Sequence, residues 1–183
     1  HFERWLAHEG KTYEIPSSNF RNKKGVLSVN GPDPDKPVFV QLGFNFPHTP
    51  ILPPKSFRDR FIVKAQEAPY KIPEFTKEEL AAFPKQLKEL QKHLDFMGMT
   101  EEEQRQSIRD YYAFCADGDD LVGKAIESFK RFSARQGREW LIVYTVGDHG
   151  WQLGEQGIGA KFLPFDKSTH GAVIMASSDP SKL

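Results

Sequence analysis

Hydrophobic and polar positions sort the chain into successive stretches. Residues 1–36 are polar, with basic and Gly/Pro/Asp punctuation, and Pro32-Asp33-Pro34-Asp35 predicts a loop. Val38-Phe39-Val40-Gln41-Leu42 is a short, nearly continuous apolar run of β-formers, which predicts a strand buried on both faces. It stops at Gly43 and gives way to an aromatic, proline-rich loop, Phe44-Asn45-Phe46-Pro47-His48-Thr49-Pro50, closed by Pro53-Pro54. From there to about Pro73 the pattern is irregular, with a helical turn expected around residues 56–61.

Two helical patterns follow. Thr76 and Glu79 form a capping-box signature ahead of Leu80, Phe83, Leu87, Leu90 and Leu94, whose steps of three and four place them on one face. Pro84 falls inside this pattern and predicts a kink or a late start. Thr100 and Glu103 form a second box, ahead of Ile108, Tyr111, Cys115, Val122, Ile126 and Phe129. Trp140-Leu141-Ile142-Val143-Tyr144-Thr145-Val146 is the strongest strand pattern. A glycine-rich loop through Gly154, Gly157 and Gly159 follows, then a third apolar run, Ala172-Val173-Ile174-Met175-Ala176. Strand, long helix, strand, loop and strand in that order predict an α/β fold with a parallel sheet.

Composition narrows the partners. Lys plus Arg and Asp plus Glu number 25 each, so the formal net charge is zero and gives no reason to expect nucleic acid or an anionic membrane. No apolar run reaches the roughly 18–20 residues of a membrane span. One cysteine, Cys115, excludes an internal disulfide. Its place on the apolar stripe of a helix makes it a small core residue.

In open α/β sheets ligands bind beyond the carboxyl ends of strands. The first predicted strand delivers His48 there, and the second delivers Asp148 and His149. Lys161 closes the glycine-rich loop. Singly, each has a plain reading: a loop histidine between prolines, a turn capped by aspartate, a solvated charge. Together, carboxylate, imidazole and ammonium on one rim could hold a metal and an anion.

The segments also agree with a known pattern. The run from Lys36 to Pro50, an apolar strand followed by Gly43 and Pro47-His48-Thr49-Pro50, resembles that of the sulfatase family. Tyr111-Tyr112-Ala113 with Asp119 and Val122-Gly123 resembles the helix that precedes the family's next strand. Asp148-His149-Gly150-Trp151-Gln152-Leu153-Gly154-Glu155-Gln156-Gly157 is similar to its Asp-His-Gly-x-x-Leu-Gly-Glu-x-Gly signature, and Lys161 falls at its second active-site lysine. Within the family the motifs are similar to the iduronate- and choline-sulfatase-like branch, which carries His where others carry Asn at position 149.

The resemblance implies a partial α/β/α sandwich with a mainly parallel, alkaline-phosphatase-like sheet, its N-terminal half missing. Residues 1–36 match poorly, and residues 37–183 would be the C-terminal portion of the catalytic domain. It further implies hydrolysis of sulfate esters with a formylglycine nucleophile made from cysteine, and a calcium ion held in part by Asp148 and His149. Lys161 would contact a sulfate oxygen. His48 would serve the leaving group, and Asp119 would be structural. The family's Cys-x-Pro-Ser-Arg motif has no counterpart, since Ala116 follows Cys115. The chain alone is therefore expected to be inactive, and its exposed core to promote self-association.

The expected partner is a sulfated small molecule or glycan, with specificity set by residues before Lys36 and residues 64–76. Family habit suggests an exported or lysosomal parent. Two other functions fit the same residues: phosphonate monoester or phosphodiester hydrolysis, and a non-catalytic anion- or glycan-binding module.

Overall fold

The computed structural model describes residues 1–18, 24–67 and 70–183, with no account of the side chains of 17, 18, 24 and 63–67. Part of the stretch expected to set specificity, residues 19–23, 68 and 69, lies outside the described residues. The chain divides into two compact units, formed by residues 1–44, 120–141 and 177–182, and by residues 45–119, 142–176 and 183.

The first unit begins with helix α1 (Phe2–Ala7), followed by strands β1 (Thr12–Ser18) and β2 (Lys24–Asn30). The strands pair antiparallel, with Tyr13 opposite Val29 and Ile15 opposite Leu27. Those four apolar residues alternate along their strands and so lie on one side of the hairpin. Leu6 of α1 is buried, and Trp5 Nε1 donates to the Asn30 carbonyl at 2.9 Å. Glu3 accepts from Ser128 and Arg131, each at 3.2 Å, on the C-terminal part of helix α5 (Glu101–Arg135).

The second unit holds α2 (Lys55–Glu67), α3 (Lys77–Ala82), α4 (Lys85–His93) and residues 101–119 of α5. The expected break at Pro84 is present. Phe83 takes an extended backbone (φ −66°, ψ 146°), the conformation a following proline favours, and splits one apolar pattern into α3 and α4. The Thr76–Glu79 capping box forms with both of its hydrogen bonds. The second box starts α5, with Thr100 N donating to Glu103 Oε2 at 2.8 Å and Glu103 N to Thr100 Oγ1 at 3.3 Å. The core of this unit is built on Phe96, Ile108, Ala113, Phe114, Ile158, Ala160 and Leu163.

Strands β3 (Leu141–Val146) and β4 (Ala172–Ser177) pair with each other, with the short helix α6 (Asp166–Thr169) between them in sequence. Trp140 and Ser178 exchange hydrogen bonds at one end, so the start of β3 meets the end of β4. The fold is therefore mixed α and β, but among the described residues its sheets are two small antiparallel pairs, and the mainly parallel sheet is corrected by this pairing. The loop after β3 turns the chain back before β4, and strand patterns specify that a strand exists but not its direction.

The strand expected at residues 38–42 is corrected too. These residues take no regular structure, and Phe39 is 91% exposed instead of buried. A β-forming composition makes a strand only where a neighbour accepts its ladder of hydrogen bonds, and among the described residues this segment has none. No helix among the described residues is long and apolar enough to cross a membrane.

Candidate functional site

The turn after β3 places two of the predicted site residues. Gly147 takes φ 75°, a left-handed conformation that costs glycine little, and turns the chain so that Asp148 projects into solvent with its side chain 90% exposed. Gly150 is held against α6: its N–H donates to the Ser168 carbonyl at 3.0 Å, and a Cβ there would lie 2.0 Å from the Lys167 carbonyl oxygen. No larger residue fits.

His149 is fixed at both ring nitrogens. Nδ1 lies 2.8 Å from the Gly150 carbonyl oxygen and Nε2 lies 2.8 Å from Lys161 Nζ. A carbonyl only accepts and an ammonium only donates, so Nδ1 carries the proton and Nε2 presents its lone pair. Asp148 Oδ1 is 3.4 Å from the same Nε2. The ammonium of Lys161 thus rests on the His149 ring, and its Nζ is also 5.6 Å from the centre of the Phe162 ring. Asp148, His149 and Lys161 come together as a compact charged cluster.

His48 is placed by a different set of contacts. It is exposed, its N–H donates to the Asn45 carbonyl at 3.1 Å, and its Nδ1 lies 2.7 Å from the Thr49 carbonyl oxygen. By the same reasoning its Nε2 is the free acceptor. The loop is anchored through Phe46, which meets Phe114 of α5 edge-on with ring centroids 4.9 Å apart. The Asp148 loop is anchored on the same helix by Trp151, stacked on Tyr111 at 5.5 Å. Tyr111 and Phe114 stand three residues apart, so one turn of α5 supports both loops.

Cys115 is half-buried on α5 beside Tyr111. Burial pushes its thiol above the usual range, against the opposing effect of a hydrogen bond with Tyr111. Such a thiol is a poor nucleophile.

Sequence reasoning missed two buried polar residues behind the cluster, Gln152 and Ser168, whose hydroxyl and amide oxygen are 2.6 Å apart. Neither lies in an apolar pattern, and only the packing of α6 against the loop reveals them.

Among the described residues no three His, Cys, Asp or Glu side chains gather as a metal site. Asp148 and His149 nonetheless have suitable donor chemistry for part of one: an exposed carboxylate and an imidazole lone pair.

Comparison with known proteins places this geometry. The sulfatase family model matches residues 20–180. Iduronate 2-sulfatase of Homo sapiens is 25% identical over 146 residues, covering 75% of this chain and 26% of that protein. The enzyme of Mus musculus is 26% identical over 147 residues, covering 76% of this chain and 26% of its own length. The chain thus spans about a quarter of the length of these curated relatives. No solved structure matches it. A family match over residues 20–180, which takes in both loops and the helix that carries them, shows that the chain belongs to the sulfatase family.

Proposed function

We propose that the protein containing this chain hydrolyses sulfate esters, and that these residues supply the part of its site that holds and neutralises the sulfate. The observation that carries the reading is the family match across residues 20–180, which includes His48, Asp148, His149 and Lys161. The substrate is a sulfated small molecule or glycan.

Lys161 contacts a sulfate oxygen and offsets the charge that grows toward the transition state. His48, exposed and with Nε2 unengaged in its own loop, serves the leaving-group oxygen. Asp148 and His149 are two donors toward a divalent cation, calcium by family habit, which would neutralise sulfate charge when bound. Calcium takes six to eight oxygen ligands, so two donors are part of a set, and the Nε2 lone pair that a cation would use is the one Lys161 holds here. The nucleophile, a formylglycine made from cysteine, comes from outside these residues, because Cys115 is in the wrong motif and is half-buried.

The test is an assay of the full-length protein on an aryl sulfate and on a phosphonate monoester with the same leaving group. Faster cleavage of the sulfate, with formylglycine found by peptide mass spectrometry, supports the reading. Faster cleavage of the phosphonate moves the assignment to phosphonate monoester or phosphodiester hydrolysis. No turnover of either, with sulfated-glycan binding that Asp148→Ala and Lys161→Ala together abolish, leaves a non-catalytic module that binds through these residues, and binding that survives both changes shows that they are irrelevant to it.

A further inference from the structure

We propose that Gln152 and Ser168 are positioning residues that set the contact between Lys161 and His149. Gln152 is fully buried, at 0% exposure, and Ser168 is 4% exposed. Both ends of the amide are engaged. Its Nε2 donates to the Glu155 carbonyl and to Gln156 Oε1, both at 2.9 Å, and its Oε1 accepts from Ser168 Oγ at 2.6 Å. A buried amide or hydroxyl left without a partner is costly, so these bonds hold one another in place.

The main chain carries this order to the charged pair. Gln152 N donates to the Ala160 carbonyl at 2.8 Å, one residue before Lys161. Gly150 N donates to the Ser168 carbonyl at 3.0 Å, and the Gly150 carbonyl in turn receives the His149 Nδ1 proton at 2.8 Å. The bonds of the clamp therefore end one residue from each partner.

The loop so held is strained. Gln156 and Phe162 take φ of 55° and 82° without being glycine. Gln156 receives a bond from the clamp, and Phe162 directly follows Lys161. Side chains in such conformations persist where the surroundings over-determine them. An apolar pair at 152 and 168 would fill the same space with no directional bonds, so what the polar pair supplies is orientation.

The importance of the contact rests on the reading of the Asp148–His149–Lys161 rim as the sulfate site, where Lys161 occupies the Nε2 lone pair as long as no cation takes it, and the contact can be measured without turnover in the metal-free chain. In the 183-residue chain, ¹⁵N spectra of the His149 imidazole are expected to show a single tautomer with the proton on Nδ1. Lys161→Met gives the spectrum of a ring without its ammonium partner. The double variant Gln152→Met with Ser168→Ala keeps the packing, checked by far-UV circular dichroism and by the amide resonances of α5. Its His149 spectrum is expected to fall to that of Lys161→Met, while Ser168→Thr, which keeps the hydroxyl, retains the single tautomer. If the double variant does not fold, Ser168→Ala alone is read in the same way. A folded variant lacking the clamp that keeps the single tautomer overturns the proposal, as does a parent chain with the proton on Nε2. An unchanged tautomer leaves the sulfatase reading standing, and an inactive full-length protein leaves the clamp standing.

Discussion

Lys161 Nζ donates to His149 Nε2 at 2.8 Å across a twelve-residue separation, and the ring's other nitrogen is committed to its neighbour's carbonyl. The lysine is thereby presented at the rim instead of extending freely into water. In the full-length protein Lys161→Ala is expected to lower kcat about 10²–10³-fold with KM little changed, the size of effect seen when one donor to developing charge is removed. Steady-state kinetics on an aryl sulfate measure this. A loss confined to KM would mean that Lys161 binds the ground state and the transition state equally.

Two glycines of α5 are expected to answer alanine in opposite ways. At Gly123 an added Cβ meets nothing within 4 Å, so Gly123→Ala should stabilise by about 1 kcal/mol, the ordinary helical preference. At Gly118 the same Cβ would lie 2.9 Å from Phe46 Cβ, in the loop that carries His48. Gly118→Ala should forfeit that gain and shift the His48 resonances. Denaturant midpoints of the two variants, with a histidine spectrum of each, decide the matter.

The neighbouring Cys115 and Tyr111 predict loss of stability in alkali. Burial raises both groups, and the adjoining thiol adds to the effect on the tyrosine. Both are neutral when protonated, so above their ordinary values the unfolded chain gives up protons that the folded chain keeps. The stability they contribute is complete below the ordinary thiol value of 9.0 and is lost as pH rises past it, with Tyr111 adding to the decline above 10.0. Cys115→Ala should delay the onset. Urea titrations from pH 8 to pH 11 test the sign, and stability that rises over that range would refute it.

The β3–β4 pair should drive self-association. Leu141, Val143, Val173, Ile174 and Met175 are each more than half exposed, on a sheet of two strands with both edges open. Sedimentation velocity is expected to show concentration-dependent assembly that Val143→Lys with Ile174→Lys reduces. A monomer at all concentrations would show that this surface is innocuous.

What the sequence revealed depended on how local the cause was. Capping at Thr76 and Thr100 and the break at Pro84 are set by a few neighbouring residues, and the structure has all three. The apolar stripe of α5 was legible at Ile108 and Val122, while Phe114 and Phe132, buried as deeply, were not assigned to it. The β1–β2 hairpin was missed, although Tyr13, Ile15, Leu27 and Val29 carry the period-two signal, because polar neighbours and Pro16 mask it. Residues 38–42 show the reverse error, since strand composition cannot supply a strand partner. The cluster of Asp148, His149 and Lys161 was visible as a motif. The Gln152–Ser168 bond behind it was not, because it joins residues that no periodicity relates.

The one turn of α5 between Tyr111 and Phe114 also limits which length changes the chain can accept. Adding or deleting a residue there would swing one anchor by about 100° relative to the other, since each helical residue advances the side chain by that angle. The loop of Phe46 and the loop of Trp151 would then lose their common register, however well each loop were preserved in itself. Gains and losses of residues among relatives should therefore spare the interval between 111 and 114 and gather in the connections outside it.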